Sequence, residues 1–233
     1  MTAGYEVEDG DPVRLTPGAR RLLDVASELF YQHGIHAVGV DLIARESGVT
    51  KRTLYDRFGS KDALVLAYLR ERHRSWWEEL EERLRHAARP RALAFFDAYL
   101  EPAVPVDRGC AYLNASGELD RDHPGYAFVQ QHKLAVRERL AEVVREDAAV
   151  GASQGAGDRR DVRAPGLDDE LCDHLFLLLE GAVAHRGIGG GDGSLRRARA
   201  FAARLLSAAE PPPRAPSGDA PTVAPSASAH GKL

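Results

Sequence analysis

Between Thr16 and residue 209 the apolar residues recur every three or four positions, with no alternating β-branched runs bounded by paired turn residues. That period belongs to helices packed through one face, and it commits the chain to an all-α fold. The punctuation agrees. Thr16-Pro17 offers a hydroxyl N-cap followed by proline at the first helical position. Ala19, Leu22, Leu23, Ala26, Leu29 and Phe30 then form one buried stripe, which Gly34 ends. A short helix follows with Val40, Ile43, Ala44 and Ser47 on one face, and Gly48 stands where a tight turn needs positive φ. A third short helix, from about Thr50 to Phe58, turns Leu54 and Phe58 inward. Gly59-Ser60 breaks it, and Ser60 caps a long fourth helix that runs on towards Pro90.

Beyond Pro90 the pattern predicts helices at 91–101, 109–119, 123–148, 167–186 and 192–209. The Gly/Ala-rich stretch 149–166 reads as a loop and the glycines at 187–193 as a linker. Residues 1–13 read as a flexible acidic N-terminus. The Pro/Ser/Ala-rich end, 210–233, has too little to bury to repay its ordering entropy and reads as a disordered tail.

Composition excludes several classes. With 233 residues, 44% hydrophobic and 28% charged, the chain can bury a core without staples. Cys110 and Cys172 are its only cysteines, too few for a disulfide scaffold or a cysteine-based zinc site. No apolar run approaches the roughly 20 residues needed to cross a bilayer. The acidic start MTAGYEVEDGDP is unlike a secretory signal, so the expected compartment is the cytoplasm, with no membrane partner. The histidines show no clear metal spacing, and no nucleophile elbow, P-loop or dinucleotide fingerprint is present. No catalytic residue, metal or cofactor is therefore assigned.

The net charge of −4 hides an asymmetry. Residues 1–12 carry four acids and no Lys or Arg, residues 13–75 carry eleven Lys and Arg against seven Asp and Glu, and the remainder is again acidic. A mildly basic block on an acidic body suits a head that meets nucleic acid, although solvated surface would give the same balance. The three helices at 17–58 fit a helix-turn-helix unit, whose third helix enters the major groove. With Leu54 set in the core, Arg52 and Asp56 point outward, flanked by Thr53 and Tyr55, with Lys51 near the edge. Such a face can read bases and phosphates. A short amphipathic helix with an ordinary solvated face has the same periodicity.

The letters themselves narrow the choice. Residues 19–69 resemble the N-terminal domain of the tetracycline-repressor-like (TetR) family of bacterial transcription regulators. The landmarks are Phe30, Gly34, Ile43-Ala44, Gly48-Val49-Thr50, Thr53-Leu54-Tyr55, Phe58 and Ser60-Lys61. The resemblance implies an N-terminal DNA-binding domain at 14–62 and a helical ligand-binding and dimerisation domain at 63–209. It further implies a homodimer on a palindromic double-stranded DNA operator, usually a repressor released by a small-molecule effector. The stretch Gly109–Ala115 is similar to the regulatory domain of one branch of the family.

Carried over by position, the DNA contacts are Thr50, Lys51, Arg52, Thr53, Tyr55 and Lys61, with Tyr55 and Lys61 as phosphate clamps. Two positions depart from the family's pattern. Val38-Gly39 stand where a phosphate-binding Ser or Thr is common, so a glycine backbone N–H would have to make that contact. Asp56 places an acid on the outward face; it can hold Arg52 one turn away or accept from a cytosine amino group, and the first is expected beside phosphates.

Trp76, Phe96, Tyr99, Cys110, Tyr112, Phe128 and His132 are the candidates to line an effector pocket. Aromatics at helical spacing are also plain core, and Cys110, among apolar neighbours, reads as an inert buried thiol. Leu171, Leu175, Leu178, Leu179, Ala182, Phe201 and Leu205 suit a four-helix dimer interface. The competing reading is a small-molecule-binding protein or enzyme on the same scaffold without sequence-specific DNA binding. Enrichment of one DNA sequence from a random pool separates the two.

Overall fold

The computed structural model describes residues 15–102, 108–154 and 167–208. Within them the chain forms α1 (Pro17–His33), α2 (Val40–Ser47), α3 (Lys51–Phe58), α4 (Lys61–His86), a 3-10 turn (Arg91–Leu93), α5 (Ala94–Leu100), α6 (Ala111–Glu118), α7 (Pro124–Gln154), α8 (Leu167–Gly189) and α9 (Gly193–Ala208). No strand occurs among the described residues. The expected N-terminal segment and tail, and residues 155–166 of the expected loop, lie outside those described.

The capping residues act as their chemistry requires. Thr16 Oγ1 accepts from the Ala19 N–H, Thr50 from Thr53 and Ser60 from Ala63, at 3.4, 3.2 and 3.0 Å. Each satisfies a donor that the helix start would leave orphaned. Gly48 has φ 66° and ψ 19°, a left-handed cap between α2 and α3. Beside it the buried Ser47 hydroxyl donates to the Ala44 carbonyl and accepts from the Val49 N–H, at 3.2 and 3.3 Å. The turn is therefore fixed from both sides.

One core runs the length of the molecule. Leu22, Leu23, Ala26 and Phe30 of α1 meet Ile43, Leu54, Leu64 and Tyr68, all buried. From α4 the same cluster continues through Leu69, Leu80, Phe95, Phe96, Leu140, Leu175 and Leu179. In the body α4 packs on α7, α7 on α8, and α8 on α9. The head is thus set on the body through shared apolar packing and not through a linker.

Two boundaries differ from expectation. α7 continues through Gln154, so 149–154 is helix and not loop. Alanine there is the best helix former, and a single glycine at 151 costs only about 1 kcal/mol. α8 continues through Gly189, leaving a short turn in which Gly190 and Gly191 take φ 68° and 71°. Gly187 is helical because α8 passes close to the segment before α6. A Cβ on it would stand 2.8 Å from the Arg108 carbonyl oxygen.

Candidate nucleic-acid interface and effector cavity

Every residue expected at the DNA face lies on α3, its N-cap or the first turn of α4. Leu54 is fully buried and fixes the helix's rotation, which leaves Lys51, Arg52, Tyr55 and Asp56 exposed. The Thr50 and Thr53 hydroxyls stand 2.9 Å apart, so the cap orients both. Arg52, whose side chain is 90% exposed, pairs loosely with Asp56 at 3.7 Å. Lys51 pairs with Asp41 of α2. Lys51 is therefore held in place and Arg52 only loosely, and both remain reachable. Gly39 caps α2 with no side-chain bond, as glycine must.

Lys61 is placed differently. Its Nζ donates to the Ile35 carbonyl at 2.7 Å, tying the start of α4 to the segment after α1. Burial pulls its pKa below the ordinary lysine value, against the pull of Asp62 and Glu118. The ammonium expected to clamp a phosphate thus already has a structural acceptor.

The head is fastened to the body by polar bonds that no periodicity announced. The Tyr31 hydroxyl donates to the Gly109 carbonyl at 3.0 Å and accepts from the Arg108 N–H at 2.9 Å. An Arg108 guanidinium nitrogen returns to the Tyr31 carbonyl at 2.6 Å. Glu118, at the far end of α6, accepts from the His36 N–H at 2.8 Å. Arg20 of α1 pairs with Glu71 of α4 at 2.9 Å.

Against the inner side of that fastening lies a cavity of about 50 Å³, opening into a mouth that brings the empty space to about 520 Å³. Four of the seven expected pocket residues line it: Trp76, Tyr99, Cys110 and Tyr112. Phe96, Phe128 and His132 are buried but do not line it. The wall also includes Arg72, Ser75 and Glu79, one helical face with Trp76, and Gly109. Burial raises the Tyr99 and Tyr112 hydroxyls well above their usual pKa, so both stay protonated. Behind Tyr112, His132 stacks on its ring at 3.7 Å and shares a 2.9 Å Nδ1–Nδ1 hydrogen bond with His73. Burial, with Lys133 and His73 nearby, holds His132 well below the ordinary histidine value and hence neutral. Cys110 is buried as expected, but its sulfur also accepts from Lys133 Nζ at 3.4 Å, and that ammonium pairs with Glu180 at 2.7 Å.

The residues expected at a dimer interface divide. Leu175, Leu179 and Ala182 are buried in the protomer's own core. Leu171, Leu178 and Leu205 are half-buried, and Phe201 is 43% exposed. On the outer side of α8 Leu177 is 66% exposed, a position that apolar periodicity does not single out. Among the described residues no group of three or more His, Cys, Asp or Glu could hold a metal ion, and no helix is long and apolar enough to cross a membrane.

A capped helix-turn-helix head packed on a helical body with an internal cavity defines a helix-turn-helix regulator. Residues 22–68 match the bacterial regulatory proteins of the tetR family. Over 62 residues the chain is 50% identical to the transcriptional activator FasR of Mycolicibacterium smegmatis, covering 26% of this chain and 28% of that one. It is 29% identical over 142 residues to the transcriptional regulator RutR of Escherichia coli K12, covering 60% and 57%. The match thus spans between a quarter and somewhat over half of these curated relatives. The crystal structure of SCO4454, a TetR-family transcriptional regulator from Streptomyces coelicolor, superposes with a TM-score of 0.67 at 29% identity, over 83% of this chain and 96% of that one. Residues 22–68 are thus a DNA-binding domain of the tetR type, and the described chain shares the all-helical fold of TetR-family transcription regulators.

Proposed function

We propose that the protein is a homodimeric repressor of a palindromic DNA operator, released by a small-molecule effector that enters the cavity beside Trp76, and that it is not an enzyme. It works in the cytoplasm on DNA. The observation that carries this reading is Gly109. It lines the cavity, and its carbonyl accepts the Tyr31 hydroxyl of the head. A ligand that shifts Gly109 therefore alters a bond on which the head's position depends. Thr50, Lys51, Arg52, Thr53, Tyr55 and Lys61 are the proposed DNA contacts. The outer faces of α8 and α9, through Leu177, Leu178, Phe201 and Leu205, are the proposed dimer contact. Two heads on one dimer meet half-sites about 34–36 Å apart, or multiples of that. A ligand that prefers the splayed form by about 1–3 kcal/mol loosens the complex 5–150-fold.

Selection of bound DNA from a random pool tests this directly. A palindrome with one-turn or two-turn half-site spacing is the expected product. Recovery of no sequence preference would overturn the regulator reading in favour of a scaffold that binds small molecules alone.

A further inference from the structure

The cavity's hydrogen-bonding groups are unbalanced. Its acceptors are engaged: Arg83 donates to Glu79 from Nε and Nη2 at 3.1 and 2.9 Å, Tyr31 donates to the Gly109 carbonyl, and Lys133 to the Cys110 sulfur. Its donors are not. The Trp76 indole nitrogen is buried and meets no acceptor among the described residues. Arg72 has no carboxylate partner among them either; its guanidinium carbon stands over the Tyr31 ring, 4.5 Å from the centroid. Arg72 and Trp76 lie one turn apart on α4 and line the same wall. A buried donor left unpaired and a cation without a counter-ion both favour an acceptor that carries negative charge.

We infer that the cavity takes a small organic anion, a monocarboxylate on a flat or short apolar body, its carboxylate set against the Arg72 guanidinium and reaching the Trp76 N–H, which the cavity leaves covered, through a small turn of the indole. The inner volume of about 50 Å³ suits that head group and the carbons next to it, while the body fills the open mouth beside Tyr99. Sites of this kind join an apolar aromatic lining to a few placed polar groups. An aromatic lining is also what a quaternary ammonium selects. Here Arg72 repels such a cation, and Glu79, the acid that would attract it, is already bound by Arg83. The assignment rests on the cavity being the effector site, and it names the chemical class of that effector.

The test uses three matched probes on the full chain: phenylacetate, phenylacetamide and phenyltrimethylammonium, in a buffer free of carboxylates. Binding is read by tryptophan fluorescence, since Trp76 and Trp77 are the chain's two tryptophans, and by calorimetry. The acid should bind at least about tenfold tighter than the amide, a difference of about 1.4 kcal/mol, and the cation should not compete. Arg72→Gln should remove the preference for acid over amide while Arg72→Lys keeps part of it. Trp76→Phe, which keeps a ring and deletes the N–H, should weaken both acid and amide. Thermal midpoints of the unliganded variants check that each remains folded. Equal affinity for acid and amide, preference for the cation, no binding of the acid at millimolar concentration, or an Arg72→Gln variant that keeps its acid preference would overturn the anion assignment. Acid binding that leaves operator affinity unchanged supports the anion site and overturns the effector role. Operator release by the amide or the cation alone supports the effector role and overturns the anion site.

Discussion

Lys61 sits in the first turn of α4 with its ammonium on the Ile35 carbonyl, so reaching a phosphate means exchanging or sharing an acceptor it already has. Lys61→Ala should weaken every DNA sequence alike and reduce the salt slope by about 1 per protomer. Titrations at several salt concentrations read this, and a melting curve separates the loss of the Ile35 tie. Arg52 is freer. Its removal should cost about 1–3 kcal/mol on the cognate site and relax preference at one position per half-site, measured with single-substituted operators. Asp56→Ala should leave the preferred sequence unchanged, because the carboxylate is turned to Arg52. At His132 the sign follows from burial. Its folded pKa lies well below the ordinary value of about 6.5, so the unfolded chain takes up a proton first as pH falls. Its contribution to stability is therefore full above about 6.5 and declines below it, with a slope of up to about 1.4 kcal/mol per pH unit. Denaturation midpoints between neutral pH and about 5.5 should show that slope in the wild type and a shallower one in His132→Gln. The outward-facing residues of α3 were legible in the sequence because a helix of known rotation decides which side chains point out. Arg72 was not, since whether its guanidinium is free depends on Glu79 being taken by Arg83 and on Tyr31 arriving from another helix.

The elements α1 and α6 meet at a single phenol. Tyr31→Phe leaves the ring in place and removes the hydroxyl that joins the Arg108 N–H and the Gly109 carbonyl. Leaving these buried backbone groups unpaired should cost about 1–3 kcal/mol of stability, measured by chemical denaturation. The same variant should respond less steeply to whatever ligand releases the operator, a shift read from dose–response curves of DNA binding. Helix starts were legible because Thr16, Thr50 and Ser60 announce them chemically. The ends of α7 and α8 were not. Glycine normally marks a stop, but Gly187 is retained inside α8 for the room it leaves the Arg108 carbonyl, a reason that exists only once the two segments are packed together. Likewise the inward or outward facing of α8's many leucines was ambiguous, because a helix apolar nearly all round carries little directional signal.

For the assembled molecule, the exposure of Leu177 and Phe201 sets the dimer test. Leu177→Glu with Phe201→Glu should shift sedimentation towards the monomer and lower operator affinity, with the helical content unchanged. A charge at Leu175 or Leu179 should instead unfold the protomer, since both are fully buried. An unchanged dimer fraction in the first pair would move the interface elsewhere. A separate consequence follows from the bare contact between Gly187 and Gly109. A Cβ on Gly109 would stand 2.9 Å from the Gly187 Cα, and Gly109 also holds φ 74°. The helix proposed to join the two copies therefore bears directly on the segment that holds Tyr31. In a genetic screen for strains that have lost control of the target promoter, Gly109 and Gly187 should recur as sites of mutation although neither can touch the operator. Their alleles should be of one kind, proteins still made and still dimeric whose two heads no longer keep their spacing.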